Sequence, residues 1–136
     1  MKKLISLMFA ALLMLCSSQW AHANEFTDLR AQLSAARESL VTLLVNKDKR
    51  GADQQKLVKD TADAVSAHLA KMKAPAGKEA QFKELVETWN AFKKTREVEL
   101  VPAILAGKDD EAKKLAGGIQ KERITKCQQL VGELGG

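Results

Sequence analysis

Apolar side chains recur at steps of three and four residues along the chain, and this period limits the fold more than any other feature. Between 25 and 47, Phe26, Leu29, Leu33, Ala36, Leu40 and Leu43 form one unbroken stripe. Val58, Ala62, Val65, Leu69 and Met72 form a second within 53–72. An alternating three-four step keeps every member on one side of an α-helix, whereas a strand needs a step of two. Seams of this kind pack at shallow crossing angles, as in bundles and coiled coils. Composition agrees: there is no Tyr, only 2 Pro and 4% aromatic residues, which disfavours a β-sandwich. At 46% hydrophobic residues the chain can bury a core, which excludes a disordered chain.

The third helix is expected from Lys78 to Leu105 and the fourth from Asp109 to Leu134. In the third, Phe82, Leu85, Trp89 and Phe92 open the seam. The same register next places Arg96 and Glu99 on that face, while apolar residues resume at Val98, Val101 and Leu105, shifted around the helix. Pro102 is expected to kink its last turns, and Gly107 stands in the C′ place. The fourth begins with Asp109, Asp110 and Glu111 at the positive end of its dipole. Gly117-Gly118 falls in its middle, at roughly 1 kcal/mol per glycine relative to Ala. Asn46 to Gly51 and Lys73 to Gly77 read as turns. The expected fold is all-α: an antiparallel up-down-up-down four-helix bundle over 24–136.

Residues 1–23 read as a secretory signal peptide. Lys2-Lys3 is the basic n-region, Leu4 to Leu15 the apolar run, and Ala21-His22-Ala23 the cleavage motif, with the cut between Ala23 and Asn24. The run is shorter than the about 20 apolar residues a membrane span needs, so contact with the membrane is expected only during export. The expected destination is the periplasm. Removing Lys2 and Lys3 leaves 20 basic residues against 17 acidic ones, a net charge of +3 rather than +5. Basic and acidic residues are intermixed, with no basic stripe carrying aromatics, so nucleic acid is not an expected partner.

Trp89, Phe92 and Arg96, then Leu100-Val101-Pro102-Ala103-Ile104-Leu105-Ala106-Gly107, then Glu111-Ala112 and Leu115, carry a resemblance. This stretch resembles the periplasmic four-helix ligand-binding domain of methyl-accepting chemotaxis receptors. The resemblance implies a sensor-like or solute-binding module, here stand-alone and exported. A second, weaker resemblance is to the soluble periplasmic b-type cytochromes and the cytochromes c′, carried by Gly107-Lys108, Glu111-Ala112 and Arg123. In that register Cys127 and Leu29 stand where the family's haem-binding His and Met would be, so the ligands are not carried over and no cofactor is expected. That reading implies a cytochrome-like bundle with altered or lost haem binding. A structural or chaperone-like helical protein is a third alternative.

Candidate chemistry is sparse. There is no paired His and carboxylate, no nucleophile beside a base and no phosphate loop, so an enzyme is not expected. His68, Met72 and Cys127 form a soft set suited to copper, but Met72 lies on a core seam and no His-rich or Met-rich tract supports it, so no metal site is expected. Cys127 reads either as a small buried residue or as a disulfide partner across a homodimer. Val41, Leu44 and Val45 beside the first seam are a second ground for a homodimer. The candidate ligand site is Trp89, Arg96 and Arg123: two guanidiniums that clamp a small anion against an indole wall. The competing reading pairs Arg96 with Glu99 or Glu122 and lets both arginines snorkel to water. A partner protein is the other expected ligand class.

Overall fold

A computed structural model describes residues 25–135, so the signal peptide and its cleavage point at Ala23 and Asn24 lie outside the described residues. Those residues are all-α, and no strand occurs among them. Helix α1 spans 25–45. A 3-10 turn, Lys47–Lys49, leads to α2, Ala52–Lys71. The third rod is composite: α3, Glu79–Thr95, runs into a π-helical turn, Arg96–Leu100, and on into α4, Val101–Leu105. The fourth rod is α5, Asp109–Gly117, followed by α6, Ile119–Gly135. No helix among the described residues is long and apolar enough to cross a membrane.

Neighbouring rods run in opposite directions. Gln32 of α1 pairs with His68, and Ser39 further along pairs with Thr61, earlier in α2. Ser66 of α2 meets Trp89 of α3, while Asp63 meets Lys93. The start of α3 touches the end of α6 through Lys78 and Glu133, and its far end meets the start of α6 through Phe92 and Gln120. All six seam residues of α1 are buried, as are Val58, Ala62, Val65, Leu69 and Met72.

The third rod departs from the expected stripe for a helical reason. Its buried residues are Leu85, Trp89, Phe92, Arg96, Leu100, Ala103 and Ile104. Val98 is 65% and Leu105 44% exposed, so neither continues the core face. From Phe92 to Leu100 the buried positions step by four and again by four. An α-helix turns about 100° per residue, so each step of four drifts by about 40°. A π turn is wider and absorbs the drift, which returns Leu100 and Ile104 to the core below Phe92. The rod ends as expected: Gly107 has φ 75°, its N–H donates to Ile104 O and that of Lys108 donates to Ala103 O. This is a Schellman motif, which a left-handed glycine favours.

The fourth rod is not one continuous helix. It breaks at Gly118, between α5 and α6. A Cβ at Gly118 would lie 2.8 Å from the backbone oxygen of Lys114, whereas one at Gly117 would meet nothing within 4 Å. The two neighbours should therefore respond in opposite ways. Gly117→Ala is expected to stabilise by about 0.5–1 kcal/mol, and Gly118→Ala to destabilise by more than about 1 kcal/mol. Urea unfolding of the pair measures both.

Candidate functional site

The core is divided in two by a layer of buried polar side chains. One apolar cluster holds Leu33, Ala36, Ala62, Trp89, Phe92 and Ile124 among others. The second holds Leu40, Leu43, Val58, Leu100, Ile104 and Ala112. Ser39, Arg96 and Gln120 are the buried polar residues, and each falls along its rod between a member of one cluster and a member of the other. The π turn starts at Arg96, and the Gly118 break is two residues from Gln120. The layer, the turn and the break therefore share one level of the bundle.

Arg96 is 1% exposed. Its Nη1 donates to Ala36 O on α1 at 2.7 Å, and its Nη2 donates to Val58 O on α2. A buried guanidinium would be costly without such acceptors. No carboxylate lies in ion-pair contact with it among the described residues. Burial pulls its pKa down to about 10, against the raising influence of Glu97 and Asp63. It stays charged at neutral pH and ties three rods together. Ser39 Oγ donates to the same Ala36 carbonyl and lies 2.9 Å from Thr61 Oγ1. Gln120 Nε2 donates to Phe92 O at 2.9 Å.

The three residues expected to form one ligand site are spread over separate partners. Trp89 is fully buried, its indole N–H donates to Ser66 Oγ at 2.9 Å, and its ring lies 5.4 Å from that of Phe92. Arg123 is half-buried on α6 and donates through Nη1 to Thr95 Oγ1 at 2.7 Å and to Gln120 Oε1 at 3.1 Å. Arg96 turns to α1 and α2 instead. Neither Glu99 nor Glu122 forms an ion pair with it, and it does not reach water. The two arginines, one in the π turn and one on α6, turn to different partners and do not converge.

Two surface grooves open at this level. The one between α2 and the π turn has a volume of about 380 Å³ and ends on Arg96. Its charges satisfy one another: Lys93 bridges Asp63 at 3.2 Å and Glu97 at 3.1 Å, and Lys59 also holds Asp63. Lys59 and Lys93 together hold the Asp63 carboxyl below its ordinary range. The other groove, between α1 and the α5–α6 junction, measures about 270 Å³ and ends on Gln120. Leu40, Val41, Leu44, Leu100 and Ile124 line it, with Arg37, Lys113 and Lys121 among its walls.

His68 Nδ1 pairs with Gln32 Oε1 at 2.7 Å, and Met72 is buried in the core. Among the described residues no group of three His, Cys, Asp or Glu side chains is placed to hold a metal ion. Cys127 is free and fully buried, and burial pushes its thiol up to about 12. An unfolded thiol titrates near 9, so above that pH the unfolded chain releases a proton that the folded one keeps. This contribution to stability is whole below about pH 9 and is lost as pH rises towards 12. We expect native protein to resist thiol reagents at pH 8 until it unfolds. In Cys127→Ala, stability should fall less steeply between pH 9 and 11, which urea titrations at each pH would measure.

No protein-family model, curated protein or solved structure matches the chain.

Proposed function

We propose that this is an exported, periplasmic, non-enzymatic bundle that binds a small anionic solute and works as a sensor-like module. The chemoreceptor resemblance of the stretch from Trp89 to Leu115 suggests the class. The observation that carries the reading is the polar layer, set where one rod has a π turn and another breaks at Gly118. Two apolar clusters joined through hydrogen bonds are easier to shift against each other than one continuous core. A ligand that grips both halves can then bias two arrangements by its differential affinity for them. π turns inside α-helices are frequent at functional sites.

Trp89 and Phe92 lie immediately beside the layer, so indole emission reports on it. Purified protein should be titrated with amino acids, dicarboxylates and alkyl carboxylates while emission and melting temperature are followed. At least one anion is expected to shift both. The reading fails if none does. A Soret band that survives gel filtration would favour the cytochrome-like alternative instead.

A further inference from the structure

Building on the binding-module reading, we propose that the groove between α1 and the α5–α6 junction binds a carboxylate carrying an unbranched apolar chain. Its lining divides into two chemistries. Leu40, Val41, Leu44, Leu100 and Ile124 offer a continuous apolar surface, and Val41 is 43% exposed with no rod covering it. Arg37, Lys113 and Lys121 are exposed cations in the same lining, and none has an ion-pair partner among the described residues. No lining residue is acidic. The groove between α2 and the π turn is the opposite case, since its lysines are neutralised by Asp63 and Glu97.

Size and charge select the occupant. At about 270 Å³ the groove falls just below the about 300–1,000 Å³ of ordinary ligand sites. That suits one alkyl chain better than a fused-ring body. A purely hydrophilic anion would leave the apolar surface in water, and a neutral alkane would leave the three cations unused. A second copy of the chain fits poorly. In a twofold contact the same patch meets itself, so a lining with three cations and no acid would be set against another of the same charge. Each methylene buried on the apolar surface should strengthen binding up to about fourfold, so affinity should climb with chain length. At the inner end, Gln120 and Phe92 connect the groove to the polar layer and to Trp89.

The test uses the purified exported form, residues 24–136, in which Trp89 is the one tryptophan, and calorimetry with decanoate below its micelle concentration, beside decanol, succinate and phosphatidylglycerol vesicles. We expect one decanoate per chain, a shift in Trp89 emission, and binding of decanol and succinate weaker by about tenfold or more. Lys113→Gln/Lys121→Gln and, separately, Val41→Asp change only exposed positions. Both should lower decanoate affinity about tenfold with little change in the ligand-free melting temperature. Equal binding of decanol and decanoate overturns the proposal, as does unchanged decanoate affinity in the two variants. Binding to vesicles without binding to monomeric decanoate would make the patch a membrane contact and also overturns it. So would a dimer in sedimentation that decanoate leaves intact and Val41→Asp dissociates. If succinate or an amino acid shifts Trp89 while decanoate does not, this assignment fails and the binding-module reading stands; if no ligand of any class binds, both fail.

Discussion

Arg96→Ala is expected to lower the unfolding free energy by about 3 kcal/mol, within a range of about 2–5. Hydrogen bonds from a charged donor contribute about 1.5–3 kcal/mol each, and Arg96 makes two of them, to carbonyls on two different rods. The truncation also empties the space of a long side chain at the junction of the two apolar clusters. Against these losses stands relief of burying a cation whose pKa is already pulled down to about 10. Ala36 and Val58 lie inside helices, so their carbonyls can keep the ordinary helical bond when the guanidinium goes. The cavity is therefore the larger part of the loss, and Arg96→Met, which refills most of it, should cost about half as much. Arg96→Lys also refills the space but should cost nearly as much as Arg96→Ala, because it buries a compact, strongly hydrated ammonium without the planar fork that spans two acceptors. Urea unfolding of the three variants decides the matter. If the lysine variant matches the wild-type chain, charge alone holds the layer and the fork geometry is irrelevant.

The apolar seams made much of this fold legible. Phe26 to Leu43 and Val58 to Met72 are buried in the order their spacing implies, and Gly107 closes the third rod with the left-handed φ its position suggested. The interruption at Arg96 was also visible, since a charge stood where the seam required an apolar residue. What spacing could not show was how the helix would accommodate it. The count kept one helical period throughout, so after Arg96 it could only find the apolar residues again at Val98, Val101 and Leu105, shifted around the helix. The π turn instead selects Leu100 and Ile104. Gly117-Gly118 was legible as a weak point but not as a break, because which of two adjacent glycines is needed depends on the close approach of the Lys114 carbonyl to Gly118. The candidate site was the least legible part. Arg123 meets Thr95, beside Arg96, but Trp89 stands about two turns away, and helix rotation sends Arg96 to α1 and α2 and Trp89 to Ser66. The groove cations Arg37, Lys113 and Lys121 carried no signal at all, because solvated charges at helical spacing occur on every bundle surface.

Arg50→Ala should destabilise the bundle about as much as loss of Arg96, by about 3 kcal/mol, although it lies in a stretch that reads only as a polar turn. Its Nε donates to Leu43 O at 3.0 Å and its Nη2 to Leu44 O at 2.8 Å, which caps the end of α1. Nη1 reaches Ile104 O at 3.0 Å, a carbonyl in the last turn of α4. A helix C-terminus leaves its last four carbonyls without partners and carries partial negative charge, so one cation here serves two helix ends. The fourth contact is to Asp109 Oδ1 at 3.0 Å, in the first turn of α5, where a carboxylate also suits the dipole. Lys47 holds the other oxygen of Asp109 at 3.0 Å, and the two cations keep that carboxyl below its ordinary range. A depressed carboxyl stabilises above the unfolded value near 3.8 and ceases to do so as pH falls through the folded one. Asp109→Asn should therefore flatten the acid limb of the stability curve. Arg50→Lys retains one contact at most, since four acceptors in three directions need a fork. Because Arg50 joins the end of α1 to α4 and α5 away from the polar layer, its effect should add to that of Arg96→Ala within about 0.5 kcal/mol. A double-mutant cycle by urea unfolding tests that sum. A large positive coupling would mean that the polar layer and the end of the bundle move as one unit, and the division of the core into two shifting halves would then be wrong.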